Sequence, residues 1–117
     1  MELKQATNIF EALSSEIRLK IFRLLIKFAP DGLVAGEIAQ HLSLPASNLS
    51  FHLKNLVQAG LITLEQEGRF LRYKANIQLM LGLIRFLTQE CCGGKSERWS
   101  EYREHCDSLA TILEMEK

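Results

Sequence analysis

The sequence has little proline, no low-complexity tract and no long apolar run. Only 2 of its 117 residues are proline and 7 are glycine, so we expect little of the chain to be disordered. The longest wholly apolar run, Leu79 to Ile84, is far too short to cross a bilayer, and the first residues lack the pattern of a signal peptide. We therefore expect a cytoplasmic protein that does not bind membranes.

Cysteine is also scarce, and neither sign of charge is in excess. Three cysteines without a secretory signal do not make a disulfide framework, so we interpret them as free thiols. The formal net charge is zero, but residues 43–75 hold four basic and two acidic side chains, whereas residues 76–117 hold five and seven. This mild asymmetry favours nucleic-acid binding by residues 43–75 but does not predict it alone.

The sequence does contain enough apolar residues to build one domain. With 47% of its residues hydrophobic, a chain of this length can build a single core but not two. Apolar residues at helical spacing from Leu3 to Leu13 predict a first amphipathic helix. A second helix, apolar on most sides, is predicted after Ser14 or Ser15, and a turn is predicted at residues 30–32.

The next segment predicts a helix-turn-helix. A short third helix covers Val34 to Leu42, and a fourth runs from about Ala46 to Ala59, where Gly60 closes it. The fourth helix has one apolar stripe, and its opposite face carries a phenylalanine among small polar residues, which is typical of a helix in the DNA major groove. We predict that the contacts with DNA are made by Ser47, Asn48, Ser50, Phe51 and Lys54.

A strand-like hairpin follows the fourth helix. We predict strands at residues 61–64 and 69–73, with residues 65–68 as the turn between them. Alternation places Arg69 and Tyr73 on one face beside the hairpin tip, where a wing contacts DNA. With four basic contacts per subunit, a dimer that neutralises roughly eight phosphates should show a salt slope near −7 on logarithmic axes.

Residues 77–89 predict a fifth helix that is apolar over most of its circumference. A terminal helix of so small a domain cannot bury all its sides within one subunit, so we predict a homodimer through the first and fifth helices. The alternative is that the fifth helix is simply buried in the monomer. Apolar spacing between Trp99 and Leu113 predicts a sixth helix.

The predicted fold is therefore mainly α with a small β-hairpin wing, an α/β winged helix-turn-helix. Its order is four helices, two strands, a fifth helix and the C-terminal sixth helix. Residues 1–92 form the DNA-binding and dimerisation domain, and residues 93–117 form a helical extension that packs on it.

Three segments carry a resemblance to a known family. They are "ALSSEIRLKIFRLLIKF" at residues 12–28, "GEIAQHLSLPASNLSFHLKNLVQAGLI" at residues 36–62 and "EGRFLRYKAN" at residues 67–76. Together they resemble the ArsR/SmtB family of metal-responsive repressors. The resemblance implies a homodimeric winged-helix repressor that releases its operator when an inducer binds. His52 lies in the central motif, and we interpret it as a packed, hydrogen-bonded histidine and not as a metal ligand.

The inducer sites of the family differ among its members. Residues 32–39 contain no thiol, which excludes the best-known arsenic site, and residues 77–89 contain no histidine, aspartate or glutamate, which excludes the zinc-type site. The vicinal pair Cys91 and Cys92 remains, and it resembles the pair that arsenite sensors of one subgroup carry after the fifth helix. Such sensors have a third cysteine shortly afterwards, whereas here the remaining thiol is Cys106.

The resemblance thus implies a metal site of Cys91, Cys92 and Cys106 that binds trivalent arsenic or antimony. Cys106 is either the third ligand or a core residue of the sixth helix. If it is a core residue, two thiols suffice for methylarsenite, because the methyl group occupies the third position. The thiols could instead form a redox or persulfide switch, or the winged helix could bind protein. We expect neither a resident cofactor nor enzymatic activity, because no nucleophile, base and orienting group converge in these motifs.

Overall fold

The computed structural model describes residues 1–89. Predictions that concern Cys91, Cys92, Cys106, the sixth helix and the extension at residues 93–117 lie outside the described residues. The chain divides into two compact units, Glu2–Ile77 and a second unit that holds Met1 and the residues from Gln78 onward. No helix within residues 1–89 is long and apolar enough to span a membrane.

The described residues form five helices and three strands, and the winged helix-turn-helix fold predicted from the sequence is confirmed. In chain order they are α1 (Leu3–Leu13), α2 (Glu16–Lys27), β1 (Leu33–Val34), α3 (Ala35–Leu42), α4 (Ala46–Gln58), β2 (Ile62–Glu67), β3 (Phe70–Ala75) and α5 (Ile77–Thr88).

The core of the Glu2–Ile77 unit is built from one apolar face of each helix and the start of the hairpin. Its largest fully buried side chains are Ile9, Ile21, Leu25, Ile38, Leu56, Leu61 and Ile62. Helix α2 begins at a conventional cap, since the Ser15 side chain accepts a hydrogen bond from the Arg18 backbone N–H at 3.3 Å. The core therefore holds both helices of the helix-turn-helix against α1 and α2.

The sheet has one strand more than the sequence predicts. Strand β1 pairs antiparallel with β3, with Leu33 opposite Tyr73 and Val34 opposite Arg72, so the order is β1-β3-β2. The sequence prediction that Val34 begins the third helix is corrected accordingly. A strand of two residues is too short to show any periodicity, which is why the pattern of apolar residues does not reveal it.

The hairpin is also longer than predicted. Strand β2 extends to Glu67, and only Gly68 and Arg69 lie between the strands, since Glu67 pairs with Phe70. The sequence predicts residues 65–67 as turn because they are polar. In the structure β2 is an edge strand, and all its residues after Ile62 are exposed. Polar and apolar residues therefore do not alternate along this part of the strand, and the sequence gives no strand signal there. Gly68 has a φ of 60°. The type I′ and II′ turns that usually join two strands through two residues have a positive φ at this first position.

Gly32 lets the chain pass close to the wing before β1 begins. Its φ is +74°, and a Cβ at this position would collide with the carbonyl oxygen of Tyr73. Glycine is the residue that meets both conditions, because it has no Cβ and adopts positive φ without strain. Close pairing of β1 with β3 thus depends on this glycine.

Helix α5 follows the predicted boundaries. Leu81 and Leu83 are buried, whereas Leu87 is 58% exposed. Thr88 donates a hydrogen bond from its hydroxyl to the carbonyl oxygen of Ile84 at 2.8 Å, which ties the last turn to the helix. Helix α5 therefore has an exposed apolar position near its C-terminal end.

Candidate nucleic-acid interface

Helices α3 and α4 are joined by a tight three-residue turn. Ser43 ends α3 in the left-handed conformation, with a φ of 52°, and Pro45 precedes α4 in an extended conformation. Proline directly before the first helical turn is compatible with a helix start because its missing N–H would have no partner there. The turn directs α4 away from α3, as a helix-turn-helix requires.

Helix α4 has a buried face and a bare face. Leu49, Leu53 and Leu56 are buried, and Val57 is half-buried. The opposite face is exposed, and its phenylalanine is 64% exposed. All five α4 residues that the sequence predicts as DNA contacts are exposed, namely Ser47, Asn48, Ser50, Phe51 and Lys54.

The N-terminal end of α4 is open to an anion. No side chain caps it, and its first turn contains no acidic residue. The first backbone N–H groups of a helix have no partner within the helix, and they carry the positive end of its dipole. This end of α4 can therefore accept a backbone phosphate beside the bases that its exposed face contacts.

His52 holds the middle of α4 to the first two helices. It is half-buried, and its Nδ1 lies 3.4 Å from Nη1 of Arg18. Arg18 also donates from Nε to the carbonyl oxygen of Ala12 at 2.6 Å, at the end of α1. The interpretation of His52 as a packed, hydrogen-bonded residue is confirmed. One arginine of α2 thus contacts both α1 and α4.

The wing places its two predicted contact residues differently. Arg69 is exposed at the tip of the hairpin, as predicted. Tyr73 is only 9% exposed and lies in the central strand, between Leu33 of β1 and Leu64 of β2. Its predicted position on an exposed face beside the tip is therefore wrong, because β1 makes β3 the central strand of the sheet and β3 packs against α2 and α3. We exclude Tyr73 from the interface.

Two cations of the wing are paired with acids of β2. Arg72 donates from Nε to Glu67 at 2.8 Å, and Lys74 donates from Nζ to Glu65 at 2.9 Å. Hydrogen bonding to Glu67 raises the pKa of Arg72, and hydrogen bonding and attraction to Lys74 lower the pKa of Glu65. The sequence could not reveal this pairing, because it depends on the strand register.

The interface therefore has fewer free cations than the sequence suggests. Of the four basic residues between positions 43 and 75, Lys54 and Arg69 have no acidic partner in the part of the chain that the structure describes. Hydroxyl, amide and phenyl groups make up the rest of the exposed face of α4. This surface can contact base edges and a few phosphates, but it does not form a broad basic patch.

Within residues 1–89, no group of three or more histidine, cysteine, aspartate and glutamate side chains could hold a metal ion. All three cysteines lie beyond that range, so the predicted thiolate site stays a prediction. His41 lies beside Phe28, with ring centroids 5.1 Å apart, and belongs to no such group within that range.

Comparison with known proteins identifies the same region. A helix-turn-helix domain family matches residues 13–65. The chain is 32% identical over 80 residues to the transcriptional repressor SdpR of Bacillus subtilis, covering 68% of this chain and 86% of SdpR. It is 30% identical over 76 residues to a candidate arsenical resistance operon repressor, ArsR, of Halobacterium salinarum, covering 65% of this chain and 58% of that protein.

A solved structure supports the fold over a longer stretch. HlyU from Vibrio cholerae aligns with a TM-score of 0.62 and 29% sequence identity. The alignment covers 79% of this chain and 99% of HlyU. The similarity thus extends beyond the helix-turn-helix to most of the chain.

Proposed function

The chain belongs to the ArsR/SmtB family of winged helix-turn-helix transcriptional regulators, and from this premise we propose that it is a repressor induced by trivalent arsenic or antimony. The observation that supports operator binding is the bare face of α4, where a phenylalanine and short polar side chains are exposed together. Such a face has no partner within its own unit, and the major groove offers both apolar and polar contacts.

Two exposed apolar surfaces support a homodimer. On α1, Leu3 is 74% exposed and Phe10 is 47% exposed, and on α5 Leu87 is also exposed. Each such side chain contributes roughly 1.5 to 3 kcal/mol when fully buried, so a few of them shared between two copies would support stable association. We propose that these residues of α1 and α5 form the dimer interface. A dimer with two-fold symmetry would match the two-fold symmetry of most operators.

The inducer site rests on the sequence. Cys91 and Cys92 follow α5 closely, and adjacent thiolates can bind a soft trivalent ion that accepts acute ligand angles. Cys106 would complete the three-thiolate pyramid. Binding there would change the position of the two recognition helices, which must reach half-sites about 34 to 36 Å apart. A coupling free energy of about 1 to 3 kcal/mol is typical, and it corresponds to roughly 5- to 150-fold weaker operator binding.

A titration of the operator complex tests the inducer site. Fluorescence anisotropy of a labelled operator would be measured while arsenite, antimonite, methylarsenite, zinc or cadmium is added. The wild type should release DNA with the trivalent ions, and the Cys91→Ser/Cys92→Ser variant should bind DNA normally but not release it. If this double variant responds to arsenite like the wild type, the proposed site is wrong.

A single replacement tests whether Cys106 is a ligand. Cys106→Ser should abolish the response to arsenite but keep the response to methylarsenite if Cys106 is the third ligand. If Cys106→Ser responds to both ions, Cys106 is not a ligand.

Mild oxidation of the wild type without arsenic tests the redox switch. Adjacent cysteines form a strained ring when they are oxidised, so the switch requires a disulfide to Cys106 and, with it, a loss of operator binding.

A further inference from the structure

We infer that the major groove of each operator half-site is read mainly through A·T base pairs. Asn48 recognises an adenine, and Phe51 contacts the methyl group of a thymine. This inference rests on the DNA-binding function proposed above and adds the sequence class of the operator to it.

The first argument comes from the side chains that α4 lacks. Arginine and lysine are the usual bidentate partners of guanine, and acidic side chains accept from cytosine. Helix α4 has no arginine and no acidic residue, and its lysine, Lys54, is in the third turn. Recognition helices contact bases with their N-terminal residues, so Lys54 is placed to contact a phosphate. The N-terminal half of α4 therefore lacks the side chains that select a G·C pair, since its serines, Ser47 and Ser50, can bond to either kind of base pair.

Asn48 is placed to read adenine. It is the third residue of α4 and is exposed, and its amide has no partner in the part of the chain that the structure describes. Asn55 differs, since it is half-buried and its amide nitrogen donates to the carbonyl oxygen of Phe51 at 3.1 Å. The amide of Asn48 can thus donate to N7 and accept from N6 of one adenine, which is the bidentate contact that asparagine makes.

Phe51 is placed to read thymine. Its ring meets the His52 ring edge to face, with centroids 5.6 Å apart, while the rest of the side chain stays exposed. The C5 methyl group of thymine is the apolar group that base pairs present in the major groove. Because His52 is itself held by Arg18, the phenyl ring has a fixed neighbour on one side and an open apolar surface on the other.

The wing supports the same base composition independently. Arg69 is at the hairpin tip and has no acidic partner among residues 1–89, whereas the other wing cations are paired. A-tracts have a narrow minor groove with enhanced negative potential, which attracts an inserted arginine. An arginine at the tip therefore favours A·T pairs beside the half-site as well.

Two experiments test the inference. The first selects binding sites from a duplex library with a randomised half-site, and the second measures binding to selected sites that contain modified bases. The selected sites should carry A·T pairs beneath the N-terminal half of α4. Replacing the contacted thymine by deoxyuridine removes one methyl group and should weaken wild-type binding about fourfold, the factor that roughly 0.8 kcal/mol gives. Replacing the contacted adenine by 7-deazaadenine should weaken it roughly two- to tenfold, about half of a bidentate contact.

The variants assign each effect to a side chain. Phe51→Ala should be insensitive to deoxyuridine, and Asn48→Ala should be insensitive to 7-deazaadenine. Asn55→Ala is the matched control and should stay sensitive to both. Selection of G·C pairs at these positions, or equal base effects in the wild type and the variants, would overturn the inference while leaving operator binding intact. A library that yields no preferred sequence would instead contradict the proposed function.

Discussion

Operator binding should depend on salt only about half as steeply as the number of basic residues suggests. Lys54 and Arg69 are the free cations of α4 and the wing within the described part of the chain, so a dimer neutralises about four phosphates through them. At a slope of about −0.9 per phosphate, the logarithm of the affinity should fall with the logarithm of the salt concentration at about −3.6. The sequence alone predicts about −7, because it counts Arg72 and Lys74 as well.

The difference is large enough to measure by fluorescence anisotropy of a labelled operator. Between about 50 and 200 mM salt, a slope of about −3.6 lowers affinity roughly 150-fold, whereas a slope near −7 lowers it by a factor on the order of 10⁴. The Lys54→Gln variant, which removes one contact from each subunit, should reduce the slope by about 1.8.

The acids of β2 provide a sharper test. Replacing Glu65 and Glu67 by glutamine should release Lys74 and Arg72 and steepen the slope toward −7. The control is Glu16→Gln, which frees Lys20 from an exposed pair on α2 and should not change the slope. A wild-type slope near −7, or an unchanged slope in the Glu65→Gln/Glu67→Gln variant, would refute the reasoning.

Three further predictions follow from the described residues. Gly32→Ala should lower the free energy of unfolding by at least about 1 kcal/mol in urea, because of its positive φ and the nearby Tyr73 carbonyl, whereas Gly36→Ala, with open space around it, should be neutral or stabilising. Equal effects would contradict the role of Gly32. Phe10→Asp should convert the dimer to a monomer in analytical ultracentrifugation while leaving the circular dichroism unchanged; a persistent dimer would exclude α1 from the interface. The Glu65 carboxyl should titrate below its ordinary pKa of 4.5 by NMR, and Lys74→Gln should return it toward that value; no change would show that the ion pair does not persist in solution.

The helices were predictable because their apolar spacing is the signal that burial requires. Leu49, Leu53 and Leu56 recur at intervals of four and three residues, and the structure buries all three. The exposed face of α4 follows from the same spacing, so the α4 part of the candidate interface could be located before the structure was known. The fold class was predictable for the same reason.

The sheet was less predictable because its features depend on contacts between distant residues. The burial of Tyr73 depends on the packing of β3 against α2 and α3 and on its pairing with Leu33, which lies 40 positions earlier in a strand too short to leave a pattern. The pairing of Arg72 with Glu67 requires the register of the hairpin, and the predicted turn begins three residues too early, at residue 65 instead of Gly68. Charge counts along the sequence therefore overestimate the cations available to DNA.

The pairing of β1 with β3 also constrains the operator itself. Backbone pairing of Leu33 with Tyr73 and of Val34 with Arg72 fastens the start of α3 to the wing, so α4 and the hairpin tip keep a constant offset from each other. Base pairs inserted inside a half-site would shift the tip out of register with α4, and the paired strands leave a single subunit little freedom to compensate. Natural target sites should accordingly tolerate changes in the gap separating the two half-sites better than insertions within either one.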